Sequence, residues 1–326
     1  AGLLFVLPGA AVVLALALAY ALLGDAPALG AIFLGVKAAV LVIVVEALTR
    51  VARRALKTPD HWALAALAFV ALFFLALPFP VVILASAVWG AIRGRRDARA
   101  DGLPPEAGTI ERRGGLLGTI AIWSALWFGP ILALWLTLGD HILVDIAIFF
   151  SKLAVVTFGG AYAVLAYMAQ DVVNAFGWLT AGEMMDGLGL AETTPGSLIL
   201  VTEFVGFLAA FHAGGVGLAL AGAAVTLWAT FAPCFLWIFA GAPYIDWIAT
   251  RPRLNGALAG VTAAVVGVIL NLSFWFALHV LFAQVTEARY GPVRVWTPTL
   301  DAMDWRVALL ASLAVWLLFG LKWGVG

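Results

Sequence analysis

Six runs of this chain, 3–23, 29–49, 116–138, 215–240, 254–283 and 303–323, are each about as long and apolar as a helix must be to cross a bilayer. Hydrocarbon offers no water to an exposed backbone, so chains that cross it do so as helices or closed barrels. Runs of this length predict an all-α polytopic membrane protein. Two further stretches are shorter. Residues 62–77 and 80–92 meet at Leu77-Pro78-Phe79-Pro80, which predicts two tightly joined short helices, crossing or re-entrant. Residues 144–212 are broken twice, at Thr157-Phe158-Gly159-Gly160 and at Glu192-Thr193-Thr194-Pro195-Gly196, around a polar middle from Gln170 to Glu192. Several short pieces are expected there. A broken helix survives in a membrane only where protein or a water-filled cavity satisfies the freed backbone, and paired breaks point to a transporter's substrate site.

Composition excludes the other classes. Hydrophobic residues are 64% of the chain and charged residues 11%, with a mean hydropathy of +1.08, far from a soluble domain. The 14 Trp often fall near segment ends, as at Trp62, Trp89, Trp178, Trp247 and Trp305, where interfacial rings favour the headgroup layer. A formal net charge of zero argues against a nucleic-acid partner. Cys234 is the single cysteine, so neither an intrachain disulfide nor a cysteine metal cluster is expected. The first run, Leu3 to Leu23, lacks a basic leader and a small-residue cleavage site, and reads as a genuine span.

Charge gives the organisation. Arg50, Arg53, Arg54 and Lys57 form one basic loop, and Arg93, Arg95, Arg96, Arg99, Arg112 and Arg113 another; both are expected on the cytoplasmic side. Residues 93–115, with Gly102, Pro104, Pro105 and Gly108, read as a polar linker between two membrane units. Gly35–Val40 resembles Gly260–Val265, and the same offset of 225 places Pro8 on Pro233. Cations fall at opposite ends of the matched segments, as inverted repeats would require. The expected division is residues 1–92 as the C-terminal part of a first repeat, 93–115 as a cytoplasmic linker and 116–326 as a second repeat. By that spacing, residues 116–225 match a region before residue 1, so about 110 residues of the first unit are expected to be absent from this chain.

The second unit holds the candidate chemistry. Lys152 lies five residues before Thr157. A cation within a span costs about 3 kcal/mol on insertion scales, so it faces an interior or an aqueous path, or else snorkels to the interface. Gly159 and Gly160 permit close backbone approach, and a helix starting after them would aim its free N–H groups at the gap. Pro195 is expected at the first turn of a helix through Ser197–Ala210. Thr157, Thr193, Thr194 and Ser197 add hydroxyls, and Gly196 adds room. Two helix N-termini, hydroxyls and a lysine make a cradle for a tetrahedral oxyanion; small-residue helix packing is the plain alternative. Glu192 and Glu203 are carboxylates that would couple proton uptake to anion release, or pair with Lys152. Lys37 and Glu46 are expected to share an interior face of one span. His141 and Asp145 are too few to hold a metal, and no phosphate-loop, HExxH or Ser-His-Asp pattern marks an enzyme. No cofactor or metal is expected.

Phe158-Gly159-Gly160-Ala161-Tyr162-Ala163-Val164-Leu165, Gly177-Trp178-Leu179-Thr180, Met185-Asp186-Gly187-Leu188 and Ala191-Glu192-Thr193-Thr194-Pro195-Gly196 resemble the chromate ion transporter family. Val205-Gly206-Phe207 and Gly260–Val265 fit its later segments. The resemblance implies a multipass inner-membrane protein that moves chromate out of the cell, with sulfate as a related oxyanion, as a secondary antiporter or proton-coupled exporter. A differently coupled sulfate carrier or channel and a non-catalytic membrane subunit are the rivals, and a homodimer stays open. Long members carry two homologous halves, in keeping with the repeat. Two positions depart from the family pattern: Ser197 stands where members often have proline, and Glu203 where glutamine is frequent.

Overall fold

A computed structural model describes residues 2–23, 27–100, 116–156, 161–194, 197–244, 247 and 250–317. Among these, eleven α-helices carry the fold: α1 (Gly2–Leu23), α2 (Pro27–Ala55), α3 (Pro59–Phe73), α4 (Phe79–Ala100), α5 (Leu116–Leu138), α6 (Ile142–Val156), α7 (Ala161–Gln170), α8 (Ala181–Thr193), α9 (Val201–Gly241), α10 (Pro252–Leu281) and α11 (Trp305–Val315). A two-stranded antiparallel hairpin, β1 (Val285–Tyr290) and β2 (Val293–Pro298), separates α10 from α11, with Val285 opposite Pro298 and Tyr290 opposite Val293. The fold is that of an all-α polytopic membrane protein. The stretches 3–23, 116–138 and 254–283 are helical nearly end to end, as expected. The hairpin lies in a segment to which the apolar pattern assigns nothing.

Two differences from the sequence expectations lie at helix ends. Helix α2 continues through Arg50, Arg53 and Arg54, so these cations sit on its last turns, where the negative end of the helix dipole favours them. Helix α4 runs on to Ala100, so residues 93–100 of the expected linker are helical; residues 101–115 lie outside the described set. The expected span 303–323 is helical over Trp305–Val315 and described to residue 317. The expected boundary between the pieces before residue 212 and the span 215–240 falls inside α9. At Gly214 (φ −164°, ψ 21°) and Gly215 (φ 75°, ψ −166°) the backbone leaves helical values. In one straight helix Gly206 and Gly222 would stand about 24 Å apart. Instead a Cβ on Gly206 would run into the Thr226 side chain, and one on Gly222 into the Gly206 carbonyl. Helix α9 is therefore a hairpin of two arms, α9a (201–213) and α9b (216–241). Gly215 supplies the left-handed residue the reversal needs.

Small residues set the closest approaches. A Cβ on Gly90 would strike the Gly256 carbonyl, one on Gly94 the Pro252 carbonyl, and one on Gly260 the Ser86 carbonyl. Two small-xxx-small faces, Gly90/Gly94 on α4 and Gly256/Gly260 on α10, thus bring the backbones together in an environment where close packing is the main adhesive. Helix α10 also packs on α3 and α2, and α2 packs on α8 and α11, so helices from before residue 93 interleave with helices from after residue 115.

The β-hairpin finishes α3. Arg294 is 8% exposed and donates from Nη2 to the Leu72 carbonyl at 2.8 Å, while its backbone N–H donates to the Phe74 carbonyl at 2.6 Å. It occupies carbonyls that the end of a helix leaves without partners.

The core is centred on α9a and α10. Every residue from Val201 to Ala210 is buried, and α10 is buried from Gly260 to Phe276 with few gaps. Helix α5 buries only Trp127. It is held to its neighbours partly through that indole, which donates to Ser151 at 3.1 Å, and through Trp228, which donates to the Leu126 carbonyl at 3.1 Å.

Candidate functional site

Two short helices meet in the middle of this core. Helix α8 has 13 residues, and α9a spans the same number, so each is about 20 Å long against a hydrocarbon thickness of about 30 Å. Neither crosses alone. Between them the chain passes through Thr194 and Ser197 into a single 3-10 turn, Leu198–Leu200.

The helix that follows the second break begins as a 3-10 turn at Leu198, with Ser197 at its N-cap, and becomes α-helical at Val201. Pro195, Gly196, Thr157, Gly159 and Gly160 themselves lie outside the described residues. Helix α7 is helical from Ala161 on, directly after the first break.

The described candidates are spread out. The Thr193 backbone closes α8. Thr194 is half-buried in extended conformation, and its hydroxyl donates back to the Leu190 carbonyl, so its proton serves the end of α8. Ser197 is half-buried and makes no capping bond with its side chain. Glu192 is half-buried on α8. Glu203 is 1% exposed in α9a, and its Oε2 has no hydrogen-bond partner among the described residues. Lys152 is on the exposed side of α6, within electrostatic reach of Asp171, whose carboxylate accepts from the Tyr167 hydroxyl. The breaks thus supply a central pair of short helices, with Glu203 inside and Lys152 at the periphery.

A second constellation is built far more tightly. Helix α8 starts with a capping box: Glu183 N–H donates to Thr180 Oγ1 at 3.2 Å, and Thr180 N–H donates to Glu183 Oε2 at 2.7 Å. One turn later Asp186, 4% exposed, accepts from Tyr20 Oη of α1 at 2.9 Å and faces Lys37 Nζ of α2 at 3.2 Å, both on Oδ2. Its Oδ1 is buried and has no hydrogen-bond partner among the described residues. Glu183 Oε1 is 3.2 Å from His212 Nε2 at the end of α9a, and His212 Nδ1 lies 3.0 Å from the Trp178 carbonyl.

Sequence spacing missed this cluster. It expected Lys37 and Glu46 to share an interior face, whereas Glu46 accepts from Arg50 one turn on and Lys37 reaches α8. The available signal was the intramembrane lysine itself, since such a charge seeks an opposite charge from another helix.

Two clefts line the other side of the molecule. One, of about 470 Å³, lies between α3 and α4 and is almost wholly apolar; the other, of about 330 Å³, contains the Arg93–Asp60 ion pair at 2.5 Å. Neither holds a residue from the two breaks. No group of three or more His, Cys, Asp or Glu suited to a metal occurs among the described residues.

Comparison with known proteins agrees with this arrangement. The sequence profile of the family described as Chromate transporter matches residues 1–91 and 144–325. The chain is 30% identical to a chromate transport protein of Pseudomonas aeruginosa, over 98% of this chain and 74% of that protein. It is 29% identical to a probable chromate transport protein of Synechococcus elongatus, over 82% of this chain and 63% of the relative. A chromate transport protein of Cupriavidus metallidurans is 33% identical over 41% of this chain and 31% of its own length. The alignments therefore leave a quarter or more of each of these relatives unmatched. No solved structure matches. With apolar helices long enough to cross a membrane and the family profile matched over most of its length, the chain is a multipass membrane protein that belongs to the chromate transporter family.

Proposed function

We propose that this protein is a secondary transporter that exports chromate, and with it sulfate as a similar tetrahedral dianion, through a site at the meeting of α8 and α9a. The observation that carries this reading is the pair of short helices, α8 and an α9a buried from Val201 to Ala210, ending at one interrupted stretch in the core. Irregular backbone at membrane depth is stable where it lines a cavity or is enclosed by protein, which is the setting of transporter sites. The family relatives named as chromate transport proteins supply the substrate class.

In this reading Lys152 attracts the anion, Thr157, Gly159 and Gly160 contact it from the first break, and Thr193, Thr194, Pro195, Gly196 and Ser197 form the second side. Thr194 contributes mainly through its backbone, because its hydroxyl proton is engaged with Leu190. Glu203, with an unpartnered oxygen in the core, exchanges the coupling proton, and Glu192 stands at the mouth of the second break. The chain works in the plasma membrane as two repeats, 1–92 and 116–326, joined by the basic segment 93–115. Transport needs no covalent chemistry from the protein.

The test is efflux of chromate from loaded proteoliposomes carrying the full chain, with unlabelled sulfate as competitor. Transport that sulfate inhibits, and that Lys152→Ala lowers by about tenfold or more, supports the site. Full activity in Lys152→Ala at normal abundance removes Lys152 from the mechanism. No chromate flux above empty vesicles rejects the substrate.

A further inference from the structure

Asp186 stands where three elements converge. Tyr20 reaches it from α1 and Lys37 from α2, while α8 carries Asp186 itself. The helices fit closely there because α8 lacks side chains on that face: a Cβ on Gly189 would strike Val36, and one on Gly182 would sit 3.6 Å from Lys37 Nζ. The cluster therefore fastens α2, from before residue 93, to α8, from after residue 115, by a single ion pair.

That fastening is incomplete in a specific way. Oδ2 of Asp186 takes both the ammonium and the phenol, and Oδ1 is buried with no hydrogen-bond partner among the described residues. An ionised carboxylate with one oxygen left bare in a protein interior carries a desolvation cost that a proton removes. A metal cation is the wrong occupant, because the Lys37 ammonium is 3.2 Å from the neighbouring oxygen. A proton fits.

The charged and titratable groups that act on Asp186 are Lys37 from α2, Tyr20 from α1 and Glu183 from its own helix. His212 of α9a meets Glu183 at 3.2 Å and so touches the cluster at one remove. No titratable group of α10, nor of the Leu198–Leu200 turn, is among those that act on it. With one lysine facing two carboxylates, the site holds excess negative charge. It also has a way out: the side chains of Glu183 and His212 are 22% and 42% exposed, and that of Lys37 is 24% exposed.

We propose that the transporter takes up a proton on Oδ1 of Asp186, and that this proton breaks the Lys37 ion pair joining α2 to α8 during the transport cycle. The proton arrives from water by way of the Glu183–His212 pair. Protonation leaves Asp186 neutral and the lysine without a counter-charge, so the seam between α2 and α8 loses its electrostatic tie and Lys37 is free to turn toward an anion. The inference rests on the transport reading only for its role in the cycle; the proton site itself is testable without substrate.

Two measurements on the full-length chain decide it. The first is infrared difference spectroscopy of the purified protein across a pH series. Acidification should raise a protonated-carboxyl band that Asp186→Asn removes and Glu203→Gln retains; a band unchanged in Asp186→Asn overturns the proposal. The second is chromate efflux from proteoliposomes with and without a pH gradient. Asp186→Asn should lose a gradient-dependent stimulation of about tenfold, a size typical of coupled sites, and a stimulation kept in full overturns the proposal. Should Asp186→Asn fail to fold, Tyr20→Phe keeps the ion pair and removes only the phenol's support of the carboxylate. Its band should titrate about one unit higher in pH, and an unmoved midpoint overturns the assignment. A gradient response kept in Asp186→Asn but lost in Glu203→Gln rejects this site and leaves the transport reading standing. The expected band without any chromate flux rejects the transport reading and leaves the proton site.

Discussion

Asp186 and Glu203 are both acids in the buried centre, on successive short helices, and each has one oxygen without a hydrogen-bond partner among the described residues. Their surroundings differ completely. Asp186 receives a phenol and an ammonium from two other helices. Glu203 has Val201, Thr202, Phe204 and Val205 as buried neighbours in sequence, and among the described residues it has no ion-pair partner. One acid is held as part of an ion pair; the other is a carboxyl in an apolar core, where neutrality is the cheaper state. Position along a broken helix makes both look functional, and the partners supplied by other helices separate their roles.

Four changes break or sharpen that contrast. Asp186→Ala has the largest expected effect, a loss of about 3 kcal/mol of stability, because it strands the Lys37 charge; the figure is at the low end for a buried pair since Lys37 keeps partial contact with water. Thermal unfolding in detergent measures it, and restoration by Lys37→Met in the double variant would assign the loss to the stranded charge. Gly206→Val comes next, at about 2 kcal/mol, because its side chain meets Thr226 and pushes α9a from α9b. That change should disturb Glu203 while leaving the Lys37–Asp186 pair in place, which cross-linking of cysteines at 37 and 186 would register. Tyr20→Phe removes one hydrogen bond to the carboxylate, for about 1 kcal/mol. Glu203→Gln is the smallest, within about 0.5 kcal/mol at neutral pH, because a neutral amide replaces an acid without an ion-pair partner among the described residues. A loss as large as that of Asp186→Ala would show that Glu203 is ionised and paired, and would erase the contrast.

Much of the architecture was legible because the membrane imposes it. Apolar length alone located α1, α5 and α10, and the Leu77-Pro78-Phe79-Pro80 break located the turn between α3 and α4. The motif set from Phe158 to Gly196 named the family before any packing was known, and the profile match agrees with it. Other features were hidden for identifiable reasons. The expected span 215–240 begins where α9 breaks, but that the two arms lie against each other shows only in the contact of Gly206 with Thr226. The glycine faces of α4 and α10 look like two unrelated repeats until they are set against each other. The β-hairpin escaped because its strands are short and mixed in polarity, and its purpose, with Arg294 closing α3, is a contact between distant segments.

The candidate site divides in the same way. Sequence identified the interruption at 192–197, and the structure places two short helices around it. Sequence also singled out Lys152, whose side chain lies on the exposed side of α6, and expected Lys37 and Glu46 to share an interior face of their helix. Which partner Lys37 finds depends on another helix, α8, which spacing along α2 does not reveal.

By itself, then, the sequence determined that this chain is an all-α membrane protein of the chromate transporter family, and where its helices break. Those properties follow from hydrophobic length, from the backbone's need for internal hydrogen bonds and from a contiguous motif, each written within one segment. Tertiary structure alone decided which helices are exposed and which are core, that the two arms of α9 pack on each other at Gly206 and Gly222, and that Lys37 and Tyr20 belong to Asp186. Helices α5 and α10 are both long and apolar enough to cross a membrane, yet the first buries little and the second most of its length. In a bilayer lipid and protein interior are alike in polarity, so hydropathy does not rank the faces; close packing between glycines and the pairing of buried charges do.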